Sequence, residues 1–143
     1  MKIRNKKATF NYTIIDKYIA GIELKGTEVK SIRDLSVTLT DTFCHITNGE
    51  MYVKNLVIPR YKNSHLSVFH EENRDKKLLL KKDELKKIKK QIKDVGKTII
   101  VLEILTVGNR IKLKIATAKG KNASDKRNSI KKRDIDMDMK RGL

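Results

Sequence analysis

The pair Asn48-Gly49 lies between two β-rich runs, and it constrains the fold more than any other feature of the chain. A type I′ turn needs positive φ at both central residues, which Asn and Gly tolerate. Residues 40–58 are therefore predicted to form a β-hairpin. In its register Cys44 lies opposite Val53 on one face, whereas Phe43 points to the other face.

Further strands are predicted where apolar residues alternate with polar ones. Across residues 9–24 the alternation is interrupted at Ala20-Gly21, which indicates a strand, a bend and a second strand. A second hairpin is predicted over residues 98–118, around Gly108-Asn109. About six antiparallel strands result. Short antiparallel strands with one packed helix favour a mainly β fold, a small closed or partly open barrel of the OB type.

Two to three short helices complete the predicted fold. The first covers residues 28–33, with Thr27 as its N-cap. The second runs from about residue 83 to residue 95, and Gly96 suits the position after its end. The other faces of this helix are nearly all lysine, and its buried stripe is predicted to consist of Leu85, Ile88, Ile92 and Val95. The preceding Leu78-Leu79-Leu80 is a short buried strand or the lead into the helix.

Two segments lack the patterns of packed elements. Residues 60–75 follow the only proline, Pro59, and show no clear periodicity, so a long exposed loop is predicted. Residues 119–143 contain nine Lys or Arg, four Asp and few large apolar residues. Such a segment cannot bury enough surface to offset its ordering entropy. The chain is therefore divided into an OB-like barrel, residues 1–118, and a basic C-terminal tail, residues 119–143, that is disordered when free.

The balance of charge points to a polyanionic partner. Thirty-four Lys and Arg stand against 17 Asp and Glu, which gives a net charge of +17. A need for solubility alone is met by a net charge of about 2–8, so a nucleic acid is expected. Lysines outnumber arginines 26 to 8, and Lys lacks the bidentate fork that reads guanine edges. Structured RNA is therefore favoured over a duplex DNA sequence.

Signatures of other protein classes are missing from the sequence. A single cysteine, Cys44, excludes an internal disulfide, and no apolar run approaches the ~18 residues of a membrane span. We therefore expect a cytoplasmic protein that makes no membrane contact. The three histidines lack metal-ligand spacing, so no catalytic residue, metal or cofactor is predicted and an enzyme is not expected. Phe43 and Tyr61 are the candidates for exposed stacking on RNA bases.

Six motifs follow one another in a specific order along nearly the whole chain. They are Asn5-Lys6-Lys7-Ala8, Ala20-Gly21-Ile22, Gly26-Thr27-Glu28-Val29-Lys30-Ser31-Ile32-Arg33, Asn48-Gly49-Glu50, Lys77-Leu78-Leu79-Leu80, and Ala118-Lys119-Gly120-Lys121 followed by Asp125-Lys126-Arg127. In order and spacing this set resembles the small protein B family, the bacterial partner of transfer-messenger RNA in trans-translation.

The resemblance implies an OB-like barrel that binds the tRNA-like domain of transfer-messenger RNA and delivers it to stalled ribosomes. The tail would fold in the empty messenger channel, and elongation factor Tu would be a partner through the charged RNA. A monomer is expected. The RNA-binding region, of direct contacts and supports, would include Asn5, Lys6, Lys7, Glu28, Lys30, Arg33 and Leu79. The residues facing the ribosome and its decoding region would be Phe43, Lys119, Gly120, Lys121, Asp125, Lys126, Arg127 and Arg133.

Three positions depart from the usual pattern of the family. Ile19 stands where a glutamate is usual, Phe43 where a tyrosine is common, and Ser124 where a histidine or tyrosine is usual. Weaker anchoring of the tail is therefore expected.

Two other functions compete with the adaptor: a generic ribosomal RNA-binding protein of the OB type, and a ribonuclease acting on stalled messages. Glu28 likewise has three interpretations: it organises lysines such as Lys30, it contacts RNA, or it is a solvated helix residue.

Overall fold

A computed structural model describes residues 2–34, 37–59 and 74–121 of the chain. Within these residues it contains seven strands and three helices. The strands are β1 (Lys2–Arg4), β2 (Tyr12–Ile22), β3 (Phe43–Thr47), β4 (Glu50–Lys54), β5 (Lys76–Leu79), β6 (Lys97–Val107) and β7 (Arg110–Gly120). The helices are α1 (Ala8–Asn11), α2 (Gly26–Arg33) and α3 (Lys82–Gln91).

Six of the strands form a closed ring. The sheet order is β1-β6-β3-β4-β5-β2-β7, and an additional β6–β7 pairing closes the ring that runs from β6 to β7. All pairings are antiparallel. β1 lies outside the ring, as a further strand on β6. The predicted OB-like barrel of about six strands is therefore confirmed, and β1 is the strand that the sequence did not reveal.

Both predicted hairpins are present. Asn48 and Gly49 have φ values of 53° and 77°, as a type I′ turn requires. Cys44 pairs with Val53, in the predicted register. The second hairpin joins β6 to β7 through Gly108 and Asn109.

The main core fills the ring, and a smaller cluster lies on its outside. On β7, Ile111, Leu113 and Ile115 are buried and alternate with half-buried lysines, as predicted. Beyond them Ala116, Thr117 and Ala118 are all buried. A second cluster, in which α1 contributes Ala8, explains part of this run, because it covers Ala116 and Ala118.

Two predicted elements differ from the structure. Residues 9–24 do not form two strands with a bend; α1 is followed by one 11-residue strand, β2, which has a register shift between Ile14 and Asp16. Ala20 and Gly21 do not interrupt this strand because both pair with β7. In addition, α2 begins at Gly26 with Lys25 as N-cap, rather than after Thr27.

The predicted end of the long helix is also wrong. α3 stops at Gln91, and Val95 is 100% exposed instead of belonging to a buried stripe. The helix ends with Ile92 as its C-cap, so Gly96 does not occupy the position after the helix as predicted. Gly96, with a φ of 86°, lies in the later turn in which the Lys97 N–H donates to the Asp94 carbonyl at 3.3 Å. Ile88 is buried, and Leu85 and Ile92 are half-buried as partners of the main core.

The barrel extends past its predicted boundary at residue 118. β7 continues through Gly120, and the Lys121 backbone N–H donates to the Asn11 carbonyl at 3.0 Å. Lys119 and Gly120 are therefore sheet residues rather than tail residues. The remaining predicted tail, residues 122–143, lies outside the described residues, as do residues 60–73 of the predicted loop. Among the helices of the described segments, none is long and apolar enough to cross a membrane.

Candidate RNA-binding surface

An apolar depression, the Leu79 cleft, lies where β2, β5, α2 and the β6–β7 hairpin meet. Its volume is about 360 Å³. The lining residues are Gly21, Ile22, Leu24, Val29, Leu79, Asn109, Arg110, Ile111 and Lys112. Arg110 and Lys112 bring positive charge to an otherwise mostly apolar wall, so the cleft can take an apolar or stacked group that is linked to an anion.

Leu79 is at the surface because of its place in the sheet. Its neighbour Leu78 points into the core, so alternation turns Leu79 outward, where it is 49% exposed. Leu79 lies directly opposite Gly21. A Cβ at position 21 would come within 3.2 Å of the Leu79 Cβ, so glycine leaves room for the leucine side chain. Ile19, two residues before Gly21 on β2, is also 43% exposed.

Helix α2 is fixed beside this cleft by a buried carboxylate. Glu28 is fully buried, and its Oε1 accepts hydrogen bonds from the Lys25 backbone N–H at 2.8 Å and from Arg74 Nη2 at 2.6 Å. The first bond caps the helix, and the second joins it to the chain just before β5. Glu28 is therefore neither a solvated residue nor a surface contact. It supports the cleft, and the cation that it binds is Arg74, whereas the sequence had suggested lysines such as Lys30.

A buried lysine lies beside this ion pair. Lys76 is fully buried, and its Nζ donates to the carbonyls of Leu56 at 2.9 Å and Arg74 at 2.6 Å. Desolvation lowers the pKa of Lys76 to about 8, with Glu28 acting in the opposite direction. The ammonium group therefore ties the residues before the predicted loop to those after it.

A second depression, the Phe43 cleft, lies beside α1. Its volume is about 580 Å³, and its lining includes Asn5, Lys7, Phe43, Asn55 and Lys97. Asn5 does not offer its amide to the cleft, because Nδ2 donates to the carbonyls of Val101 at 3.0 Å and Leu39 at 3.2 Å. Lys6 and Lys7 are exposed, and Phe43 is 36% exposed.

The last described residues of the chain lie at the edge of the Phe43 cleft. The Gly120 N–H donates to the carbonyl of Gly96, a cleft residue, at 3.2 Å. Lys121 Nζ donates to the Thr9 carbonyl at 3.0 Å. The start of the predicted tail and the exposed ring of Phe43 are therefore placed at the same edge of the barrel.

The structure divides the predicted RNA-binding residues into two groups. Leu79 lines one cleft, and Arg33 lies beside it because its Nη2 reaches the Asn109 carbonyl at 3.4 Å. Asn5 and Lys7 line the other cleft, together with Phe43 from the predicted ribosome-facing set. Lys30 is exposed on α2. Of the other predicted ribosome-facing residues, Lys119, Gly120 and Lys121 end the described part of the chain. Asp125, Lys126, Arg127 and Arg133 lie outside it, as does Tyr61.

Sequence reasoning missed the residues that support these surfaces. Lys76 could have been found, since it is two residues before the buried Leu78 and alternation places both on one face. Arg74 had no such signal, because its partner Glu28 is 46 residues away.

A polar network that attaches α3 to the barrel was also missed. Gln91 Oε1 accepts from Tyr18 Oη at 2.7 Å and from Thr117 Oγ1 at 3.0 Å. Lys87 Nζ lies 3.0 Å from Asp16 Oδ2. Hydrogen bonds from Lys87 and Gln91 lower the pKa of Asp16 to about 2.

Comparison with known proteins gives a consistent result. A family model described as SmpB protein matches residues 2–143. The SsrA-binding protein of Treponema denticola is 46% identical over 141 residues, which cover 98% of this chain and 90% of the relative. The SsrA-binding protein of Thermosipho melanesiensis is 47% identical over 133 residues, which cover 92% of this chain and 89% of the relative.

A solved structure shows the same similarity. It is described as "tmRNA-SmpB: a journey to the center of the bacterial ribosome", and its chain aligns with a TM-score of 0.73 and 34% identity. The alignment covers 90% of this chain and 94% of that chain. Since the family model, the relatives and the fold all agree over most of its length, the chain belongs to the SmpB protein family.

Proposed function

We propose that the chain is an RNA-binding adaptor of trans-translation. It binds the tRNA-like domain of transfer-messenger RNA and delivers it to stalled ribosomes, while the segment after Lys121 enters the empty messenger channel. Membership of the SmpB family and relatives named as SsrA-binding proteins support this function. We further propose that the chain acts as a monomer and meets elongation factor Tu only through the charged RNA.

The observation that carries the proposal is the Leu79 cleft. Proteins recognise folded RNA by its shape, by unstacked bases and by its phosphates. The cleft offers an exposed apolar side chain, Leu79, with Arg110 and Lys112 in the same wall and Arg33 beside it. Each phosphate contact adds affinity without sequence information, so the apolar shape of the cleft supplies selectivity.

The Phe43 cleft is the part that we assign to the ribosome. Its exposed ring can stack on a base, and the exposed Lys7 and the half-buried Lys97 line the same depression. The last described residue, Lys121, lies beside it. One edge of the molecule could therefore hold ribosomal RNA while the following segment enters the channel.

A binding experiment tests the assignment of the Leu79 cleft. Leu79→Ser should weaken binding of transfer-messenger RNA about tenfold, the effect of losing about 1.4 kcal/mol of apolar contact. The matched control is Ile15→Ser, because Ile15 is 42% exposed and lines none of the clefts described above. The dissociation constant is measured by gel shift, and the melting temperature confirms that both variants fold.

Bulk tRNA in the same gel shift separates the adaptor from a generic ribosomal RNA-binding protein. The adaptor prefers transfer-messenger RNA at moderate salt. Equal affinity for both RNAs would overturn the proposal.

A second experiment tests the division of labour between barrel and tail. In the full-length chain, Lys126→Glu with Arg127→Glu and Arg133→Glu should leave transfer-messenger RNA binding nearly intact and strongly reduce alanine transfer on stalled ribosomes. Loss of RNA binding in this variant would show that the tail belongs to the RNA-binding surface instead.

A further inference from the structure

Helix α3 carries a row of lysines that none of the contacts described so far uses. Lys82, Lys86, Lys89 and Lys90 are all exposed. At 100° per residue they fall within an arc of about 100°, and the row is about 12 Å long. Ile88, which is buried, lies on the opposite side of the helix. We call these four residues the α3 lysine row.

The row has no anionic partner in the part of the chain that the structure describes. Lys87, on the flank of the same helix, pairs with Asp16, and Lys97 pairs with Asp94. None of the four lysines of the row makes such an ion pair within residues 2–34, 37–59 and 74–121. Within the described residues, the ammonium groups of the row are therefore available to an external anion.

The row also works against the stability of its own helix. Lys82 and Lys86, Lys86 and Lys89, and Lys86 and Lys90 are like-charge neighbours at i,i+3 or i,i+4 spacing, which destabilise a helix. The helix is held by other means: Glu84 caps its start, and Gln91 and Lys87 bind the barrel near its end. Lys89 and Lys90 lie in the last turn, where the helix dipole favours cations, but this does not remove the repulsion between neighbouring lysines of the row.

We propose that the α3 lysine row binds the phosphate backbone of structured RNA, as an extension of the RNA-binding surface beyond the Leu79 cleft. This inference rests on the proposed function. Lys82 lies three residues after Leu79, so the row begins close to that cleft. About 12 Å of a nucleic-acid duplex carries about seven phosphates over its two strands, so several phosphates lie within reach of a row of this length.

A membrane surface does not fit this helix. Binding to a bilayer needs an apolar face that can enter the headgroup region. The apolar residues of α3, Leu85 and Ile88, pack against the main core. Only the charged side is free, which favours a purely electrostatic partner such as a phosphate backbone.

Salt dependence of RNA binding tests the row. In the full-length chain, Lys86→Gln with Lys89→Gln and Lys90→Gln should weaken RNA binding about tenfold at low salt. It should also lower the slope of log Kd against log salt by about 2, since each phosphate contact contributes about 0.7–0.9. The melting temperature should change little, because the variant loses both the repulsion between lysines and the favourable interaction of Lys89 and Lys90 with the helix dipole.

The matched control compares two single variants of the same helix, one at Lys90 in the row and one at Lys87 outside it. Lys90→Gln should lower the slope by nearly one, whereas Lys87→Gln should leave it unchanged because Asp16 already holds that ammonium group. Equal effects of these two variants would overturn the inference, since position on the helix would then not matter.

Titrations with two partners distinguish the sources of the phosphate. The triple variant is titrated with transfer-messenger RNA and, separately, with ribosomes. A reduced slope with either supports the inference and names the partner, and unchanged slopes with both overturn it. Failure of the proposed function looks different, because the unmodified chain would then show no preference for transfer-messenger RNA over bulk tRNA.

Discussion

Helices α2 and α3 begin with the same capping pattern, but their first turns lie in different surroundings. Each has an extended lysine at its N-cap, Lys25 or Lys81, and a glutamate three residues later that accepts the N–H of that lysine. The distances are 2.8 Å for Glu28 and 3.1 Å for Glu84. The local physics of the two helix starts is therefore nearly identical.

The difference lies in what surrounds the two glutamates. Glu28 is fully buried and bound by Arg74, so α2 forms part of the support of the Leu79 cleft. Glu84 lies in the surface-facing part of α3, whose only fully buried residue is Ile88. The same capping pattern thus serves a buried anchor in one helix and a charged surface in the other. A sequence motif fixes a helix start but not the function of the helix.

Removal of the two glutamates is the sharpest test of this comparison. Glu28→Ala should lower the free energy of unfolding by about 3–5 kcal/mol, because it leaves a cation without its buried partner. Glu84→Ala, the matched control, should cost about 1 kcal/mol, the value of one capping bond. Urea denaturation measures both. Similar losses in the two variants would contradict the comparison.

The pH dependence of stability tests the buried lysine next to Glu28. The pKa of Lys76 falls from 10.5 in the unfolded chain to about 8 in the folded chain. Between these values the unfolded chain binds more protons, so stability rises with pH. From pH 7.5 to 9.5 the contribution of Lys76 should increase by about 2 kcal/mol.

The matching variant is Lys76→Met, which fills the same space without a titrating group. The charged groups facing Lys76 are Glu28, Arg74 and Asp75, and all three remain in this variant. The difference in unfolding free energy between the two proteins isolates the effect of Lys76. A constant difference across this pH range would refute the lowered pKa.

Acid conditions test the attachment of α3, where a smaller effect is expected. The pKa of Asp16 is lowered from 3.8 to about 2, so its contribution is present above pH 4 and is lost as the pH falls to 2. Asp16→Asn should make the melting temperature depend less on pH within this window. A pH dependence as steep as that of the unmodified chain would show that the Asp16–Lys87 contact does not hold the helix.

The smallest effect is expected just after α3. Val95 is 100% exposed, so Val95→Ala should change the free energy of unfolding by less than about 0.5 kcal/mol. Ile32→Ala, in the last turn of α2, should cost about 2–5 kcal/mol because Ile32 is buried. A large loss of unfolding free energy in Val95→Ala would instead support the longer helix that the sequence pattern predicted.

Local patterns explain which parts of the fold could be predicted. The Asn48-Gly49 turn and the alternation on β7 depend only on residues that are neighbours in the sequence, so the predictions made from them were correct. The end of α3 was misplaced because Ile92 and Val95 continue the helical period in the sequence, whereas the helix stops at Gln91 and Gly96 belongs to a later turn. Likewise, Ala20-Gly21 has the composition of a bend, and only pairing with β7 keeps it extended.

The candidate site was predicted by charge and by resemblance but not in its geometry. The family motifs named Leu79, Arg33 and Glu28 together, and the structure does gather them around one cleft or its support. The motifs could not show that the Asn5 amide donates hydrogen bonds to two backbone carbonyls of the barrel. Nor could they show that Asn5 and Lys7 share a cleft with Phe43. Those relations join residues that are far apart in the chain.

The sequence by itself determined that the molecule is basic, that it has two hairpins and that one helix has a lysine-covered face. Charge, turn chemistry and periodicity can be seen in a few neighbouring residues. Only the tertiary structure decided which charges are buried. Arg74 and Lys76 count as surface cations in any tally of composition, yet the closed barrel places both against Glu28 or backbone carbonyls. Burial is a property of chain segments that meet across the fold, and it changes the energy of a charge more than any neighbour in sequence.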